Sequence, residues 1–416
     1  MAILARQTGV ILASLFAAAA LLAFSAAARG EPAGNAVDRS PSGAPYVAGE
    51  LVVTYEEKAP DSAVESLDEE VGAEVEEKLP EIDSRLLEFP EVQDESSQDT
   101  RERDLAQIKE DLADDPAVES VGYNYLVNLA YTPNDPKFNK QWGLRKTGFN
   151  EAWNRSRGSG VDIALVDTGI SMGHEDLKGR VALAHDFVNN DNTVKDLGGH
   201  GTHVAGIAAA KTDNRKGVAG GCPDCDLLIA KVFDGPRTGT VVNVAEGVIW
   251  AADNGAEVIN LSLTHPNPSD IEREAIQYAT SPDPTSPEKG AVAVAAAGNG
   301  NVDTETYPAA YNLYVIAVAA TNQDDKQASF SNYGPWVDVA APGVSIVSTI
   351  PGGYASWNGT SMAAPHVSAL AALLAAQGLS RDEIKRRIYN TAVDLGAEGK
   401  DPKYGAGRIS ASSAIQ

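Results

Sequence analysis

The chain is predicted to be an α/β protein: a doubly wound, mostly parallel sheet with flanking helices, preceded by a small α+β unit of ferredoxin-like order. Three observations predict this. After Tyr131, short apolar runs alternate with helical stretches, the pattern of parallel strands buried on both faces. Before it, residues 46–130 read strand, helix, strand, strand, helix, strand. The charge also divides the chain. Of a net −25 over 416 residues, Tyr46–Ala130 contributes 25 acidic and 6 basic side chains, which marks a separate unit.

From the N-terminus, Arg6, the apolar run Val10–Ala23 and the small residues Ala26-Ala27-Ala28 predict an export signal over residues 1–28, hence a secreted protein. Residues 29–45, rich in Gly, Pro, Ser and Asn, are expected to be a disordered linker. In the acidic unit, Glu50–Tyr55, Ala73–Leu79, Arg85–Phe89 and Ala117–Tyr123 have strand character. Asp61–Glu70 and Asp99–Leu112 have helical composition or spacing. In residues 131–416 the predicted strands are Val161–Val166, Asp226–Phe233, Glu257–Leu263, Ala291–Ala297 and Tyr314–Ala319. The predicted helices are Val241–Asn254, Ile271–Thr280, Thr360–Gln377 and Arg381–Tyr389. Their functional site is expected at the carboxyl ends of the strands. No later stretch is apolar enough to span a membrane, so no stable anchor is expected. The acidity excludes a nucleic-acid partner, because phosphate contacts need a basic face.

Three short blocks carry the chemistry. Val166-Asp167-Thr168-Gly169 places a carboxylate directly after an apolar strand, where it can accept a histidine Nδ1–H and fix the tautomer. A turn aspartate is the plain alternative. Gly198-Gly-His-Gly-Thr-His-Val-Ala-Gly206 offers two histidines. Gly359-Thr-Ser-Met-Ala-Ala-Pro365 sets Ser361 at a helix start, where free N–H groups and the dipole favour an oxyanion. Pro365 is expected to be tolerated as a first-turn residue. A fourth block, Ala295-Ala-Ala-Gly-Asn299, ends a buried strand on an asparagine between glycines.

These blocks, in the order Asp, His, Ser, resemble the subtilisin-like serine proteases, and the resemblance covers Tyr131–Gln416, nearly the whole mature part. The resemblance implies a serine endopeptidase with Asp167, His200 and Ser361 as charge-relay residues and Asn299 as a side-chain oxyanion donor. It assigns His200 rather than His203, which is then structural. His174, His185, His265 and His366 are expected to be ordinary surface or packing residues. A zinc pair of His200 and His203 lacks a third ligand on the helix. Tyr46-Val-Ala-Gly-Glu-Leu-Val-Val53 and Asp114-Asp-Pro-Ala-Val-Glu-Ser-Val121 resemble the inhibitory propeptides of the same proteases. This implies an autoprocessed zymogen whose partners are protein or peptide substrates and its own propeptide. The tail Tyr123–Ala130 would lie in the site and be cut near Leu129, Ala130 or Tyr131. A monomer is expected.

Within the family, Tyr131-Thr-Pro-Asn-Asp-Pro136 and Ala328-Ser-Phe-Ser-Asn-Tyr-Gly334 are similar to thermitase-like enzymes. That likeness implies structural Ca2+, held by Asp135 and Asp176, the side chain of Asn214 and the carbonyls of Lys211, Lys216 and Val218. A second site could use Asp186, Asp191 and Thr193, although Asn189 and Lys195 replace oxygen donors there. Substrate would lie along Ser262, Leu263 and Thr264 on one side and Ala296 and Gly298 on the other, with Thr306 near the pocket floor. Thr264-His265 stands where the family usually has two glycines, so specificity is expected to differ. Cys222 and Cys225 fit a local disulfide in an exported protein; a thioredoxin-like motif and a zinc site lack their context. Two rival readings are a catalytically impaired binding protein of this fold and a sedolisin-type acid peptidase. The latter would have a glutamate in place of His200.

Overall fold

The computed structural model describes residues 36–40, 45–126, 131–235, 238–281 and 290–416. The predicted export signal, most of the predicted linker, and Leu129 and Ala130 at the predicted cleavage point lie outside the described residues. The chain divides into two compact units, Met1–Val127 and Asn128–Gln416.

The first unit is an antiparallel sheet with two main helices on it. Strands β1 (Val37–Arg39), β2 (Pro45–Tyr55), β3 (Glu74–Leu79), β4 (Ser84–Glu88) and β5 (Val118–Tyr125) are joined through helices α1 (Asp61–Glu70) and α2 (Gln98–Ala113). β2 sits between β5 and β4, with β3 outside β4. The predicted ferredoxin-like order is therefore present. Leu51, Val53 and Leu87 from the sheet and Leu105 and Leu112 from α2 make its core. One segment departs from expectation: Val37–Arg39, within the predicted linker, forms an edge strand on β2. Its polar sequence hides the reason. Buried Asp38 takes a two-pronged ion pair from Arg101 of α2, at 2.8 and 2.6 Å.

The second unit is built on a seven-stranded parallel sheet of β6 (Asp162–Asp167), β7 (Val181–Asp186), β8 (Asp226–Lys231), β11 (Val258–Leu261), β12 (Val292–Ala296), β13 (Val315–Thr321) and β14 (Val339–Pro342). Their order across the sheet is β14-β13-β12-β11-β6-β8-β7. A two-stranded ribbon, β9 (Phe233–Asp234) and β10 (Thr238–Gly239), follows β8. Helix α3 (His200–Ala209) and helix α6 (Thr360–Ala375) pack in the core on one face. Helices α4 (Val241–Asp253) and α5 (Asp270–Thr280) cover the other, and α7 (Arg381–Asn390) lies outside α6. The chain builds β7 and β8 on one side of β6 and then starts β11 on the other. The crevice at the carboxyl ends of β6 and β11 is therefore a switch point, the usual place for a ligand in such sheets.

The hairpin of β15 (Ile346–Ile350) and β16 (Gly353–Trp357) delivers α6 to that crevice. Ser348 and Thr349 donate to the carbonyls of His203 and Thr202 at 2.7 Å each, so the hairpin is latched onto α3. The latch requires Gly206, where a Cβ would stand 2.3 Å from both hydroxyl oxygens. Cys222 and Cys225 form a disulfide, buried against Gly158. Among the described residues no helix is long and apolar enough to cross a membrane.

Candidate active site

Asp167 is the last residue of β6 and is almost fully buried. His200 is the first residue of α3, and its Nδ1 lies 2.7 Å from Asp167 Oδ1. A carboxylate on Nδ1 puts the proton there and leaves Nε2 as the free basic nitrogen. Burial alone would lower the His200 pKa. The Asp167 charge and hydrogen bond, with Asp196 behind them, outweigh it and raise the pKa. Close approach depends on Gly201, whose Cβ would meet the Gly169 carbonyl at 2.1 Å and Asp167 Oδ1 at 3.1 Å.

Asp196 belongs to the site although no sequence motif singles it out. Its Oδ1 accepts from Thr168 Oγ1 and the Gly198 and Gly199 amides. Its Oδ2 accepts from the Thr202 amide and hydroxyl. It caps the start of α3 and ties it to the residue beside Asp167. An aspartate three residues before a helix-opening Gly-His-Gly is the available signal.

Ser361 lies in the first turn of α6, so its N–H has no intrahelical acceptor. Its hydroxyl donates to the Ser262 carbonyl at 3.2 Å rather than to the His200 ring. In return, Ser262 Oγ donates to the Ser361 carbonyl at 3.0 Å. Pro365 explains that second bond, and corrects its predicted place. It sits inside the helix, beyond the first turn, where its N–H would have bonded to Ser361. Its lack of an N–H leaves the Ser361 carbonyl to Ser262. Buried Asn260 and Ser368 complete the chain: Ser368 Oγ donates to Asn260 Oδ1, and Asn260 Nδ2 to Ser262 Oγ, each at 2.9 Å.

Asn299 follows β12 and is exposed, but its amide is oriented. The Thr360 N–H and Oγ1–H both donate to Asn299 Oδ1, at 2.9 and 3.0 Å. The carbonyl end is thereby occupied and the Nδ2 donors are left for another acceptor. Gly298 beside it has φ +101°, and a Cβ there would stand 2.4 Å from Asn332 Nδ2. Asn332, another residue not foreseen, bonds the Ala297 carbonyl and the Gly300 amide. Ala296 is buried at the end of β12, and Thr306 Oγ1 donates to the Ala297 carbonyl at 2.6 Å. Across the crevice, Ser262 and Leu263 are buried while Thr264 is exposed.

His203 is buried and stacked on Trp357, with ring centroids 4.5 Å apart, and burial lowers its pKa to about 4. It is neutral and structural. His265 is not the ordinary histidine expected: its Nε2 faces buried Glu272 at 2.8 Å.

The predicted metal residues are brought together in part. Asp135 and Asp176 are both buried. The Asp135 pKa is raised, first by burial and then also by the Asp176 charge, against hydrogen bonds that lower it. The loop 211–218 wraps them: the amides of Asp213 and Val218 donate to Asp135 and Asp176, both at 2.9 Å. Asn214 presents Nδ2 to Asp176 at 2.8 Å, while its Oδ1 accepts from the Lys216 N–H. Lys216 points outward to Glu175. Two buried carboxylates with no basic side chain on either among the described residues have the chemistry of hard-cation ligands such as those of Ca2+, but the groups that meet them here are N–H donors and the Tyr354 hydroxyl, and the Asn214 oxygen is turned to the Lys216 amide. The second predicted set does not fit. Lys231 forms an ion pair with Asp186, which also accepts from Val188 and Asn189, so a protein ammonium already stands where the metal would.

A carboxylate–imidazole pair, a helix-start serine and an oriented amide are the parts a charge-relay hydrolase uses. Comparison with known proteins makes this specific. The chain belongs to the subtilase family, whose model matches residues 158–407. Residues 32–121 match the fervidolysin N-terminal prodomain. The chain is 43% identical over 373 residues to a thermophilic serine proteinase of Bacillus sp. (strain AK1), covering 89% of this chain and 88% of that one. It is 47% identical over 288 residues to thermitase of Thermoactinomyces vulgaris, covering 69% of this chain and all of that one. Among solved structures, fervidolysin from Fervidobacterium pennivorans matches with a TM-score of 0.63 at 28% identity, over 89% of this chain and 61% of its own. The protein is a serine-type endopeptidase with a prodomain.

Proposed function

We propose that this is a secreted endopeptidase, made as a zymogen, in which Ser361 attacks the peptide carbonyl and His200 Nε2 takes its proton. The observation that carries the reading is the 2.7 Å pair of His200 Nδ1 and Asp167, which fixes the tautomer that makes Nε2 a base. Ser361 Oγ must rotate from the Ser262 carbonyl toward Nε2, a change of rotamer; such contacts commonly tighten only when substrate binds. The Ser361 N–H and Asn299 Nδ2 then stabilise the tetrahedral oxyanion, and water attacks the acyl-enzyme after His200 has protonated the leaving amine. Substrate runs along Ser262–Thr264, with its side chain beside Ala296 and Gly298. The prodomain acts as the intramolecular inhibitor, with its tail cut near Tyr131. Ca2+, where bound, is held by Asp135, Asp176, Asn214 and the carbonyls of Lys211, Lys216 and Val218, and supplies stability rather than chemistry.

The test is expression of the full chain beside its Ser361→Ala variant, followed by N-terminal sequencing and casein hydrolysis. The expected result is a wild-type protein that starts near Tyr131 and hydrolyses casein, with neither outcome in the variant. A variant processed like the wild type would contradict the proposed roles.

A further inference from the structure

His265 has two short contacts, and both partners are acceptors. Nε2 lies 2.8 Å from Glu272 Oε2, and Nδ1 lies 2.7 Å from the Asn267 carbonyl. A neutral imidazole has one N–H and can satisfy only one of them; an imidazolium satisfies both. Glu272, in the first turn of α5, is fully buried; among the described residues the Tyr311 phenol stands close to its carboxylate, but that hydroxyl donates to the Ser269 carbonyl and leaves Oε1 without a hydrogen-bond partner. A carboxylate taken out of water in this way needs a cation, and His265 is its ion-pair partner.

The pair sits on a structural ring. The His265 backbone bridges Tyr307 through both its N–H and its carbonyl, at 2.8 and 2.9 Å. Tyr307 adjoins Thr306, which is fixed to the Ala297 carbonyl. Ala297 leads to Gly298 and Asn299, which hold Thr360, the neighbour of Ser361. Ser361 closes on Ser262, three residues before His265. Both walls of the crevice thus belong to one hydrogen-bonded circuit, and the His265–Glu272 pair pins it to α5.

We propose that His265 is a positioning residue of the substrate cleft, and that its protonated ion pair with Glu272 holds the cleft rim in its binding shape. Loss of the proton leaves Glu272 buried without a cation, frees one of the two His265 contacts and loosens the rim. Substrate binding therefore weakens as pH rises through the His265 titration. The other groups facing this pair are phenols. The Tyr307 ring lies 6.3 Å from the imidazole and bonds Glu305 outward, and Tyr311 bonds the Ser269 backbone. Neither carries charge over the neutral range. Glu272 raises the His265 pKa, chiefly through the hydrogen bond. The inference rests on Ser262–Thr264 and Gly298 being the substrate walls.

Two measurements test it together. The His265 ring is titrated by NMR in the full-length Ser361→Ala protein, and KM for a peptide substrate is followed against pH in the processed enzyme. The expected results are a His265 midpoint above about 6.5 and a KM that rises roughly threefold to tenfold through the same midpoint. In Glu272→Gln, which keeps the shape and removes the charge, both midpoints move down together. A His265 midpoint at or below about 6.5, or a KM that stays flat across it, would overturn the inference and leave the proteolytic reading intact. Absence of hydrolysis in folded, processed protein would overturn that reading, and the inference with it.

Discussion

Asn299 is exposed at the end of β12, yet its amide is not free to turn, because Thr360 holds its Oδ1 from two sides. In the proposed mechanism a donor so fixed is organised before the reaction starts, and no reorientation is needed when charge develops. Asn299→Ala should lower kcat roughly 10²–10³-fold with little change in KM, the loss known for subtilisin on removal of an oxyanion donor. Steady-state kinetics on the processed enzyme checks this. At His200 the signs of stability and activity oppose each other. Its pKa is raised, so the Asp167 ion pair stabilises the fold fully below about 6.5 and loses that contribution as pH rises through the folded value. Catalysis needs the neutral ring, so kcat/KM should rise over the same interval and fall away on its acid side. Asp167→Asn should move this acid limb to lower pH and reduce kcat by about 10⁴. His200, Ser361 and Asn299 were legible because each sits in a dense local block. Asp196, Asn332 and the His265–Glu272 pair were not, because their partners are brought to them by the tertiary fold.

Helix α3 begins on a catalytic candidate, so its N-terminus has to be set with care. Asp196 does this through five hydrogen bonds that reach both Thr168, the neighbour of Asp167, and the Gly198–Thr202 segment. Asp196→Ala should cost at least about 0.5–2 kcal/mol as a lost cap, and lower kcat as well, measured by chemical denaturation and kinetics on one preparation. Gly298→Ala should be at least as costly, about 1–3 kcal/mol, because it meets both a left-handed φ and Asn332. Element prediction succeeded for the longer apolar runs, although the four-residue buried strand β14 was missed. β6, β11, β12 and β13 read as apolar runs, and each lies within a residue or two of its expected place. It failed at β7, an edge strand whose residues are largely exposed or half-buried. It failed too at the hairpin β15–β16, whose polar Ser348 and Thr349 face the α3 carbonyls rather than a core.

At the scale of the molecule, two units with separate cores divide the chain. The charge boundary lies near Tyr131; the edge strand β1 was hidden because Asp38 is buried through an ion pair with a distant helix. In the second unit, Asp135 and Asp176 are buried side by side, with no basic partner among the described residues. Chelation by EDTA should therefore lower the melting temperature of the processed enzyme, and added Ca2+ should restore it, with a midpoint that depends on Ca2+ concentration. Asp176→Asn should abolish that dependence. In the proposed mechanism everything turns on Ser361 being the nucleophile of a site assembled by Asp167, His200 and Asn299. The decisive measurement is treatment of the processed enzyme with a fluorophosphonate, followed by mass spectrometry of the digested protein. A single covalent adduct on Ser361 is expected, formed more slowly as pH falls through the His200 titration and lost in Ser361→Ala. No adduct on folded, processed protein, or an adduct on another residue, would contradict that role.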